Sequence, residues 1–342
     1  MRLALLVRTL GTMGGTERFV YGLARSLLAM GHRVDVWCQR VDQELRGVAV
    51  HALGAGGRGR IWKMWSAHRA ALRIPADDYD LVLGFIRAGR PGLYRAGGGC
   101  HAAYRRRLGR TGLADQIEER MDRAVISSAR RIIVNSRMVA REMDRWYGLP
   151  EARTRLIYNG VDLERFSPSV QGGRGRFAVF LGNGFARKGL ATAIRAVARI
   201  EGLSLQVIGR TERLNTYQRL AEEVGLSDRL RFMGALEEPE MMLRRAAVMV
   251  LPTRYDPFAN ACLEALACGT PVVTSRANGA AEVLPDAWMT VTDPEDVDGF
   301  AAAMERALHD RGVSDRCRAA AERYPAHHAH HALAAAIEEL TP

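Results

Sequence analysis

Lysine is almost missing from this sequence, and its cysteines are few and scattered. Only Lys63 and Lys188 are lysines, so nearly all of the 49 basic residues are arginine. The five cysteines, at positions 38, 100, 262, 268 and 317, are odd in number and form no C-x-x-C pair. This pattern argues against a disulfide framework and indicates reduced thiols in a cytoplasmic setting. Because arginine has otherwise replaced lysine, the lysine kept at 188 hints at a site that needs an ammonium group.

Long apolar runs are also absent. No stretch reaches the length that a membrane-spanning helix requires. Residues 1–7 are apolar, but no small-residue cleavage site follows them, so they fit a first strand better than a signal peptide. With 48% hydrophobic and 25% charged residues over 342 positions, the composition is typical of two globular domains. The net charge of +11 favours anionic partners, such as nucleic acid, an anionic lipid surface or a phosphorylated glycan.

The first forty residues predict the start of a doubly wound parallel sheet. A strand over 2–7 leads into a glycine-rich turn at 10–15, an amphipathic helix over 16–30 and a second strand over 33–38. Gly14 and Gly15 would let the backbone approach a ligand closely. A nicotinamide site is disfavoured, because the turn lacks the G-x-G-x-x-G pattern and no acidic residue ends the second strand.

The stretch around Asp256 carries the most chemical information. A buried strand over 247–251 precedes it, a helix over 258–268 follows, and another strand runs over 271–275. Asp256 would therefore lie at the C-terminal end of a strand and before a helix N-terminus, where anions are attracted. Glu264 follows eight residues later, so the two carboxylates could bind two sets of sugar hydroxyls. A capping aspartate and a surface glutamate are the alternative.

A second loop supplies positive charge. The strand predicted over 177–181 runs into a segment in which Gly182 and Gly184 permit close approach and Arg187 and Lys188 follow. Paired cations at the end of a strand can stabilise the charge that develops on a diphosphate leaving group, as a metal would elsewhere.

Taken together, these motifs resemble the retaining GT-B glycosyltransferases of family 4, and among them the lipopolysaccharide core glucosyltransferase I type. The resemblance rests on the acidic-x7-Glu pair, the Gly-Arg-Lys loop, Gly-Gly-Thr-Glu-Arg at 14–18 and Tyr-Asn-Gly-Val-Asp at 158–162. It covers nearly the whole chain and is strongest over 154–284. It implies two Rossmann-like domains facing a cleft, with no cofactor and no metal. Asp256 stands where the family usually has Glu, which leaves the donor sugar open.

The resemblance also implies roles for individual residues. Arg187, Lys188 and the backbone of Gly15 would stabilise the leaving diphosphate of a nucleotide-sugar, which is expected to be UDP-linked. Asp256 would orient the donor sugar and Glu264 the ribose. The residues that would bind the donor are Gly14, Gly15, Gly182, Arg187, Lys188, Gly209, Arg210, Asp256, Pro257, Phe258, Ala259, Asn260 and Glu264.

An acceptor-side element is expected after the glycine triplet at 97–99. His101 follows at a loop-to-helix junction, where the family often has a histidine near the reacting centre, although a lone histidine is usually structural. Arg105 and Arg106 begin a basic run that would suit an anionic glycan or glycolipid acceptor. The catalytic set implied by the resemblance is therefore His101, Arg187, Lys188 and Asp256.

Two further segments allow competing interpretations. Residues 55–74 mix Arg58, Arg60, Lys63 and Arg69 with Trp62 and Trp65, which fits contact with an anionic membrane surface or a solvated helix whose tryptophans are buried. The histidines at 327, 328, 330 and 331 could bind metal at i,i+4 spacing, but no third ligand is evident, which favours a solvated helix end.

An apparent D-x-D motif, Asp78-Tyr79-Asp80, is predicted to be a turn. It precedes the buried strand over 81–85, so it enters the sheet at its N-terminal edge, whereas ligands collect at the opposite edge. We therefore expect no metal there.

The resulting model has an acceptor-side domain over 1–166, a linker over 167–176, a nucleotide-sugar-binding domain over 177–325 and a terminal helix over 326–342 that returns to the first domain. A sugar-nucleotide epimerase of the same fold is one rival. A basic nucleic-acid-binding protein is another, but the sequence has neither a groove-reading helix nor an aromatic RNA-binding motif, so no nucleic-acid partner is expected.

Overall fold

The structure is a computed structural model that describes residues 1–12, 14–54, 59–169, 173–210 and 213–341. Residue 13 of the glycine-rich turn, residues 55–58 of the basic segment (including Arg58), residues 170–172 of the expected linker and residue 342 lie outside this range. Contacts divide the chain into two compact units. Unit 1 comprises residues 1–158 and the stretch from His327 onward, and unit 2 comprises Asn159–Ala326.

Unit 1 is built on a parallel sheet with the strand order β5-β3-β1-β6-β7-β8-β9. The short strands β2 and β4 pair with each other beside it. From β1 the chain first moves outward to β3 and β5, and then returns to build the other half from β6 onward, which is the doubly wound topology. The strands are β1 (Arg2–Leu6), β2 (Thr9–Leu10), β3 (Arg33–Cys38), β4 (Arg40–Val41), β5 (Val48–Ala52), β6 (Leu81–Gly84), β7 (Leu93–Arg95), β8 (Arg131–Val134) and β9 (Thr154–Leu156).

Helices cover both faces of this sheet. The first helix and the last one (Ala326–Glu338) share a core cluster with the strands, in which Leu23, Leu27, Leu333 and Ile337 are fully buried. This burial of apolar helix faces is the main force that holds the helices on the sheet. The remaining bounds are α1 (Gly15–Ala29), α2 (Arg60–Ala71), α3 (His101–Arg107), α4 (Leu113–Ser128) and α5 (Arg137–Tyr147).

Unit 2 repeats the architecture with a second parallel sheet, in the order β12-β11-β10-β13-β14-β15. Its central strands are buried on both faces and read as continuous apolar runs, as parallel strands do. The strands are β10 (Gly175–Leu181), β11 (Ser204–Ile208), β12 (Leu230–Gly234), β13 (Ala246–Leu251), β14 (Val272–Ser275) and β15 (Thr290–Val291).

The helices of unit 2 alternate with these strands, and a 3-10 helix at Gly279–Val283 follows β14. They are α6 (Phe185–Lys188), α7 (Leu190–Ala198), α8 (Leu214–Glu223), α9 (Pro239–Arg245), α10 (Asn260–Ala267), α11 (Val297–His309) and α12 (Val313–Glu322). The predicted fold class, two doubly wound parallel-sheet units, is therefore confirmed. Within the described residues, no helix combines the length and the apolar character that crossing a bilayer would need.

Strand β7 was not predicted from the sequence. No strand was predicted between residue 85 and the glycine triplet at 97–99, but Leu93–Arg95 pairs in parallel with both β6 and β8. Three residues between glycine- and proline-containing segments give too little periodicity to reveal a strand. Its position is set by the two neighbours that pair with it, and it delivers the glycine triplet to the C-terminal edge of the sheet.

Candidate active site

The topology of unit 2 explains why two distant loops meet. Strands β10 and β13 are neighbours and pair in parallel, with Val179 opposite Met249. Their C-terminal ends therefore open onto the same edge of the sheet. Strands β11 and β12 are added on one side of β10, and β13 to β15 are added on the other side. Such a switch point forms the ligand crevice of open α/β sheets. The loop after β10 carries Arg187 and Lys188, and the loop after β13 carries Asp256.

Both cations contact the same carboxylate oxygen. Arg187 Nη1 lies 3.0 Å from Asp256 Oδ2, and Lys188 Nζ lies 3.1 Å from the same atom. Arg187 Nη1 also donates to the backbone carbonyl of Tyr255 at 2.8 Å. Lys188 and Asp256 are buried, whereas the Arg187 side chain is 30% exposed and can turn toward a ligand.

Gly182 makes room for the lysine. Its φ is +145°, and a Cβ atom at this position would lie 2.6 Å from both Cδ and Cε of Lys188. Gly209 packs behind it, because a Cβ there would lie 2.3 Å from the Gly182 carbonyl oxygen. Real Cβ atoms do not come this close, so Gly182 is needed for the path of the lysine side chain and Gly209 for the path of the Gly182 backbone. The side chain of Asn183 completes the loop by accepting from the N–H of Arg210 at 2.8 Å.

The charges in this cluster favour an anionic ligand. Burial by itself would raise the pKa of Asp256, but Lys188 and Arg187 outweigh it and hold the pKa below the ordinary value. Asp256 is therefore ionised at neutral pH. Two cations against one carboxylate leave a net positive charge at the end of the strands. A diphosphate placed there would be bound by charge-assisted hydrogen bonds.

Asn278 fixes the loop that carries Asp256. Its Oδ1 accepts from the N–H of Ala259 and from that of Ala280, each at 3.1 Å, while its Nδ2 donates to Thr274 Oγ1 at 3.0 Å. Ala259, which was expected to help bind the donor, thus has its N–H already paired with this side chain. Asn278 was not assigned a role from the sequence, although an Asn between a buried strand and a helical turn is a recognisable capping signal.

Helix α10 begins four residues after Asp256. Asn260 starts it, and Glu264 lies one turn further on the same side, since i and i+4 positions are neighbours on a helix. Asn159 Nδ2 donates to Asn260 Oδ1 at 2.5 Å and so fixes the amide at the helix start. Glu264 is only 9% exposed. The alternative of a surface glutamate at this position is therefore wrong.

The other predicted donor-side residues lie close along the chain but differ in exposure. Phe258 is buried and Pro257 is half-buried, whereas Arg210 is exposed beside the Gly209 loop. In unit 1, Gly14 and Gly15 stand at the N-terminus of α1. A Cβ at Gly14 would lie 2.5 Å from the Glu17 carboxylate, so that carboxylate lies over the start of the helix.

His101 is the first residue of α3, at the predicted loop-to-helix junction, but it is buried. Only 3% of it is exposed. Its Nδ1 lies 3.1 Å from Glu118 Oε2, and its Nε2 lies 3.5 Å from Asp115 Oδ1. Burial and the charge of Arg87 lower the pKa of His101, while the surrounding carboxylates oppose that change. The structure thus places the imidazole between two acidic side chains of α4.

The described residues contain one group spaced for a metal ion, namely His101, Asp115 and Glu118, whose ligand atoms lie within 4.8 Å of one another. Both ring nitrogens of His101 face carboxylates directly, and Arg110 Nε lies 3.1 Å from Asp115 Oδ1. Because the pKa of His101 is lowered, its imidazole is neutral near pH 7 and contacts Glu118 as a neutral group, while Arg110 pairs with Asp115. The group was missed in the sequence because the two acids follow the histidine by 14 and 17 positions and meet it only when α4 packs against α3.

Asp122 organises the loop before His101. It is fully buried and accepts from Arg87 Nε at 2.8 Å, from the backbone N–H of His101 at 2.9 Å and from Tyr147 Oη at 3.0 Å. Arg87 Nη2 also donates to the carbonyls of Gly98 and Gly99. The glycine triplet and the start of α3 are thereby tied to α4 and α5. No sequence motif marked Asp122.

The basic run after His101 is largely paired within the unit. Arg105 and Arg106 both lie near Glu119 Oε2, at 3.3 Å and 3.5 Å. The Arg106 guanidinium also stacks over the Trp146 ring at 3.9 Å from its centroid. Arg107 pairs with Glu142 at 2.9 Å. These contacts reduce the positive charge that the run was expected to offer an acceptor.

The Asp78-Tyr79-Asp80 segment is part of the framework of unit 1. Asp80 Oδ2 accepts from the backbone N–H of Arg2 at 2.6 Å, and Tyr79 Oη donates to Asp35 Oδ2 at 2.8 Å. Its side chains thus bind neighbouring strands at the N-terminal edge of the sheet, as the turn interpretation predicts.

Most of the histidine cluster is solvated, but not all. His327, His328 and His331 are exposed, whereas His330 is buried. Its ring packs edge-on against Phe19 and lies directly over Gly22. The expectation of a solvated helix end is therefore wrong for His330, because that side of the last helix faces α1.

Comparison with solved structures identifies the fold. The chain superposes on WaaG, a glycosyltransferase involved in lipopolysaccharide biosynthesis, with a TM-score of 0.85 at 18% identity, over 98% of this chain and 99% of that one. It also superposes on the Anabaena protein HepE in complex with UDP-glucose, with a TM-score of 0.77 at 16% identity, over 99% and 100%. The fold is GT-B.

Sequence comparison then gives the family. The model for "Glycosyltransferase Family 4" matches residues 13–165, and the model for "Glycosyl transferases group 1" matches residues 164–324. The chain belongs to the GT-B glycosyltransferases of family 4. It is 34% identical over 137 residues to LpsE, a lipopolysaccharide core biosynthesis glycosyltransferase of Rhizobium meliloti, and that alignment spans 40% of each chain, less than half the length of this relative.

Proposed function

We propose that the protein transfers a hexose or N-acetylhexosamine from a nucleotide-diphosphate sugar to a hydroxyl of a lipopolysaccharide-type or lipid-linked glycan. In this proposal the donor is UDP-linked, and the product retains the anomeric configuration of the donor. The observation that carries this proposal is the convergence of Arg187 and Lys188 on Asp256 at the switch point of unit 2. A relative and a structural neighbour named for lipopolysaccharide synthesis support the acceptor class. The UDP-glucose complex of HepE supports the donor class.

In this proposal the two cations bind the diphosphate. As the glycosidic bond breaks, negative charge grows on the leaving phosphate, and Arg187 and Lys188 stabilise that charge more strongly than they stabilise the ground state. Lys188 reaches the phosphate from its buried position across Gly182, while the more exposed Arg187 turns from Asp256. Asp256, released from part of its ion pairing, accepts hydrogen bonds from the donor sugar.

Retention follows from attack on the same face as the departing phosphate. The acceptor hydroxyl then passes its proton to the leaving phosphate, so no side-chain nucleophile is required. Glu264 binds the ribose hydroxyls from α10. On the acceptor side, we assign His101, Arg105 and Arg106 to positioning, because His101 is enclosed by carboxylates and the two arginines are paired with Glu119.

The test is a donor screen with product analysis. Purified protein is incubated with UDP-glucose, UDP-galactose, UDP-N-acetylglucosamine or GDP-mannose, together with truncated lipopolysaccharide core as acceptor. We expect release of free nucleotide diphosphate only when both substrates are present, and proton NMR of the product should show the anomeric configuration of the donor. Conversion of the donor into an epimeric nucleotide-sugar, without acceptor and without net release of nucleotide diphosphate, would instead favour an epimerase. An inverted product would refute the retaining mechanism.

We also propose that the reaction needs no metal ion. Activity should therefore survive EDTA. Complete loss of activity in EDTA, restored by manganese, would contradict this proposal, and it would direct attention to the group formed by His101, Asp115 and Glu118.

A further inference from the structure

Helix α2 presents large apolar side chains to solvent. Trp62 is 58% exposed and Trp65 is 46% exposed, and their rings meet edge to face with centroids 5.3 Å apart. Ile61 and Leu72 are 37% and 45% exposed on the same helix and at its end. These four side chains form what we call the tryptophan face. Large apolar side chains exposed on one side of a helix in this way indicate an interaction site.

The helix cannot turn to bury these rings, because its opposite side is already packed. Ala67, Ala71 and Ile74 are buried, and the latter two belong to a core cluster with strands of unit 1. His68 Nδ1 accepts from the N–H of Gly89 at 3.3 Å, which further fixes the rotation of the helix. The alternative in which both tryptophans are buried is therefore wrong.

The charged residues of the segment 59–74 have one sign. Lys63, Arg69 and Arg73 are exposed on or next to the helix, and the sequence from 59 to 74 has no acidic residue. The Arg69 guanidinium stacks over the Trp65 ring at 4.6 Å from its centroid. Two copies of such a face would repel each other. An anionic surface with an apolar layer beneath it would match both the charges and the rings.

We propose that the tryptophan face docks on the surface of an anionic phospholipid bilayer. Trp62 and Trp65 enter the boundary between head groups and acyl chains, and Lys63, Arg69 and Arg73 contact lipid phosphates. At about 1.5 Å per residue, the 12 residues of α2 extend about 18 Å, enough to lie in the interface plane but too short to cross it. This inference concerns a partner of the protein and does not depend on the identity of the sugar donor.

The inference can be tested by sedimentation with vesicles of phosphatidylcholine, with and without phosphatidylglycerol. We expect the full chain to bind the anionic vesicles and to bind neutral ones only weakly. Replacing both tryptophans, in W62S/W65S, should weaken binding to anionic vesicles by about tenfold or more, because apolar burial is lost. Replacing both cations, in K63Q/R69Q, should weaken it by about fivefold per residue at low salt, and the difference should shrink as salt rises.

Matched controls distinguish binding through the tryptophan face from nonspecific adsorption to vesicles. M233S/M241S removes two exposed apolar side chains from unit 2, and R311Q/R323Q removes two exposed charges there. Neither should change vesicle binding by more than about twofold. Binding by W62S/W65S equal to that of the unaltered protein would overturn the inference, as would a failure of the unaltered protein to bind anionic vesicles.

Activity on a water-soluble acceptor distinguishes this inference from the proposed function. W62S/W65S should transfer sugar to delipidated glycan at the unaltered rate, and only transfer to vesicle-embedded acceptor should fall. Equal loss with both acceptors would place the tryptophans in the reaction itself and overturn the docking role. Vesicle binding that depends on Trp62 and Trp65 in a protein without transferase activity would uphold the docking and refute the function.

Discussion

Each unit places a charged cluster near the end of its sheet, but the balance of charge differs. In unit 2, Arg187 and Lys188 share the single carboxylate of Asp256. In unit 1, carboxylates surround one imidazole, with Glu118 and Asp115 on its two nitrogens. The first cluster retains positive charge for an anionic ligand. The second places its acidic side chains against His101 and Arg110 of the same unit.

This difference separates a site arranged for chemistry from one arranged to hold a loop. An excess of cations at strand ends costs stability unless an anion binds, and such arrangements are found at functional sites. The unit 1 cluster extends to Asp122, Arg87 and Tyr147, whose hydrogen bonds fasten the glycine triplet and the start of α3. Substitutions in unit 1 should therefore act on stability, and those in unit 2 on turnover.

The largest effect is expected from Asp122→Ala. It removes the fully buried carboxylate and leaves the half-buried Arg87 guanidinium without its ion-pair partner, which costs about 3–5 kcal/mol of the free energy of unfolding. Urea unfolding measures the loss. Asp42→Ala is the control, since Asp42 pairs with Arg40 at the surface and should contribute about 0–1 kcal/mol. Similar losses in both variants would show that the Asp122 network does not hold unit 1 together.

In unit 2, Lys188→Ala should lower turnover while leaving stability nearly unchanged. Loss of one donor to the leaving diphosphate corresponds to about 2–4 kcal/mol of transition-state stabilisation, or about 30- to 1000-fold in kcat/KM. Steady-state kinetics with a soluble acceptor give the value. Lys63→Ala, the other lysine of the chain, is the matched control and should behave as the unaltered protein. Turnover of Lys188→Ala within about threefold of normal would mean that the diphosphate is bound elsewhere.

His330 can be compared with His101, because it is also a buried histidine but lies outside the carboxylate cluster. Burial, together with the charge of Arg95, lowers its pKa from 6.5 to about 4. The unfolded chain then binds the proton more tightly than the folded one, so stability is complete above about pH 6.5 and falls as the pH drops toward 4. The loss should reach about 3 kcal/mol. His330→Leu should remove this dependence in urea unfolding across that range, whereas His328→Leu, at an exposed position, should retain it.

The smallest effects should distinguish the role of Glu264 from that of Asp256 in unit 2. Glu264→Gln should weaken UDP and the UDP-sugar alike, by about 1.5–3 kcal/mol, because a charged acceptor of the ribose is lost. Asp256→Asn should not weaken bare UDP, since it releases Lys188 and Arg187 to the phosphates, and its penalty should appear in kcat with the full donor. Calorimetry with UDP checks both. Equal weakening of UDP by the two variants would rule out this division of roles.

Part of this site was accessible from the sequence because parallel strands have a fixed geometry. Once 177–181 and 247–251 were recognised as parallel strands, the loops that follow them were expected at the same edge of the sheet. These loops carry Arg187, Lys188 and Asp256. The surroundings could not be predicted in the same way. Asn278 and Asn159 act through hydrogen bonds to Ala259 and Asn260, and such contacts depend on loop paths that residue patterns do not specify.

The sequence by itself determined the alternation of strands and helices, the GT-B class and the position of the cationic loop beside the acidic one. Only the tertiary structure decided which side chains are buried. His101 became enclosed when α4 brought Asp115 and Glu118 to it, Trp62 stayed exposed because Ala67 and Ala71 occupy the packed side of α2, and His330 turned toward α1. Periodicity locates a helix and its faces, but the identity of the neighbour that covers each face arises only from packing between distant parts of the chain.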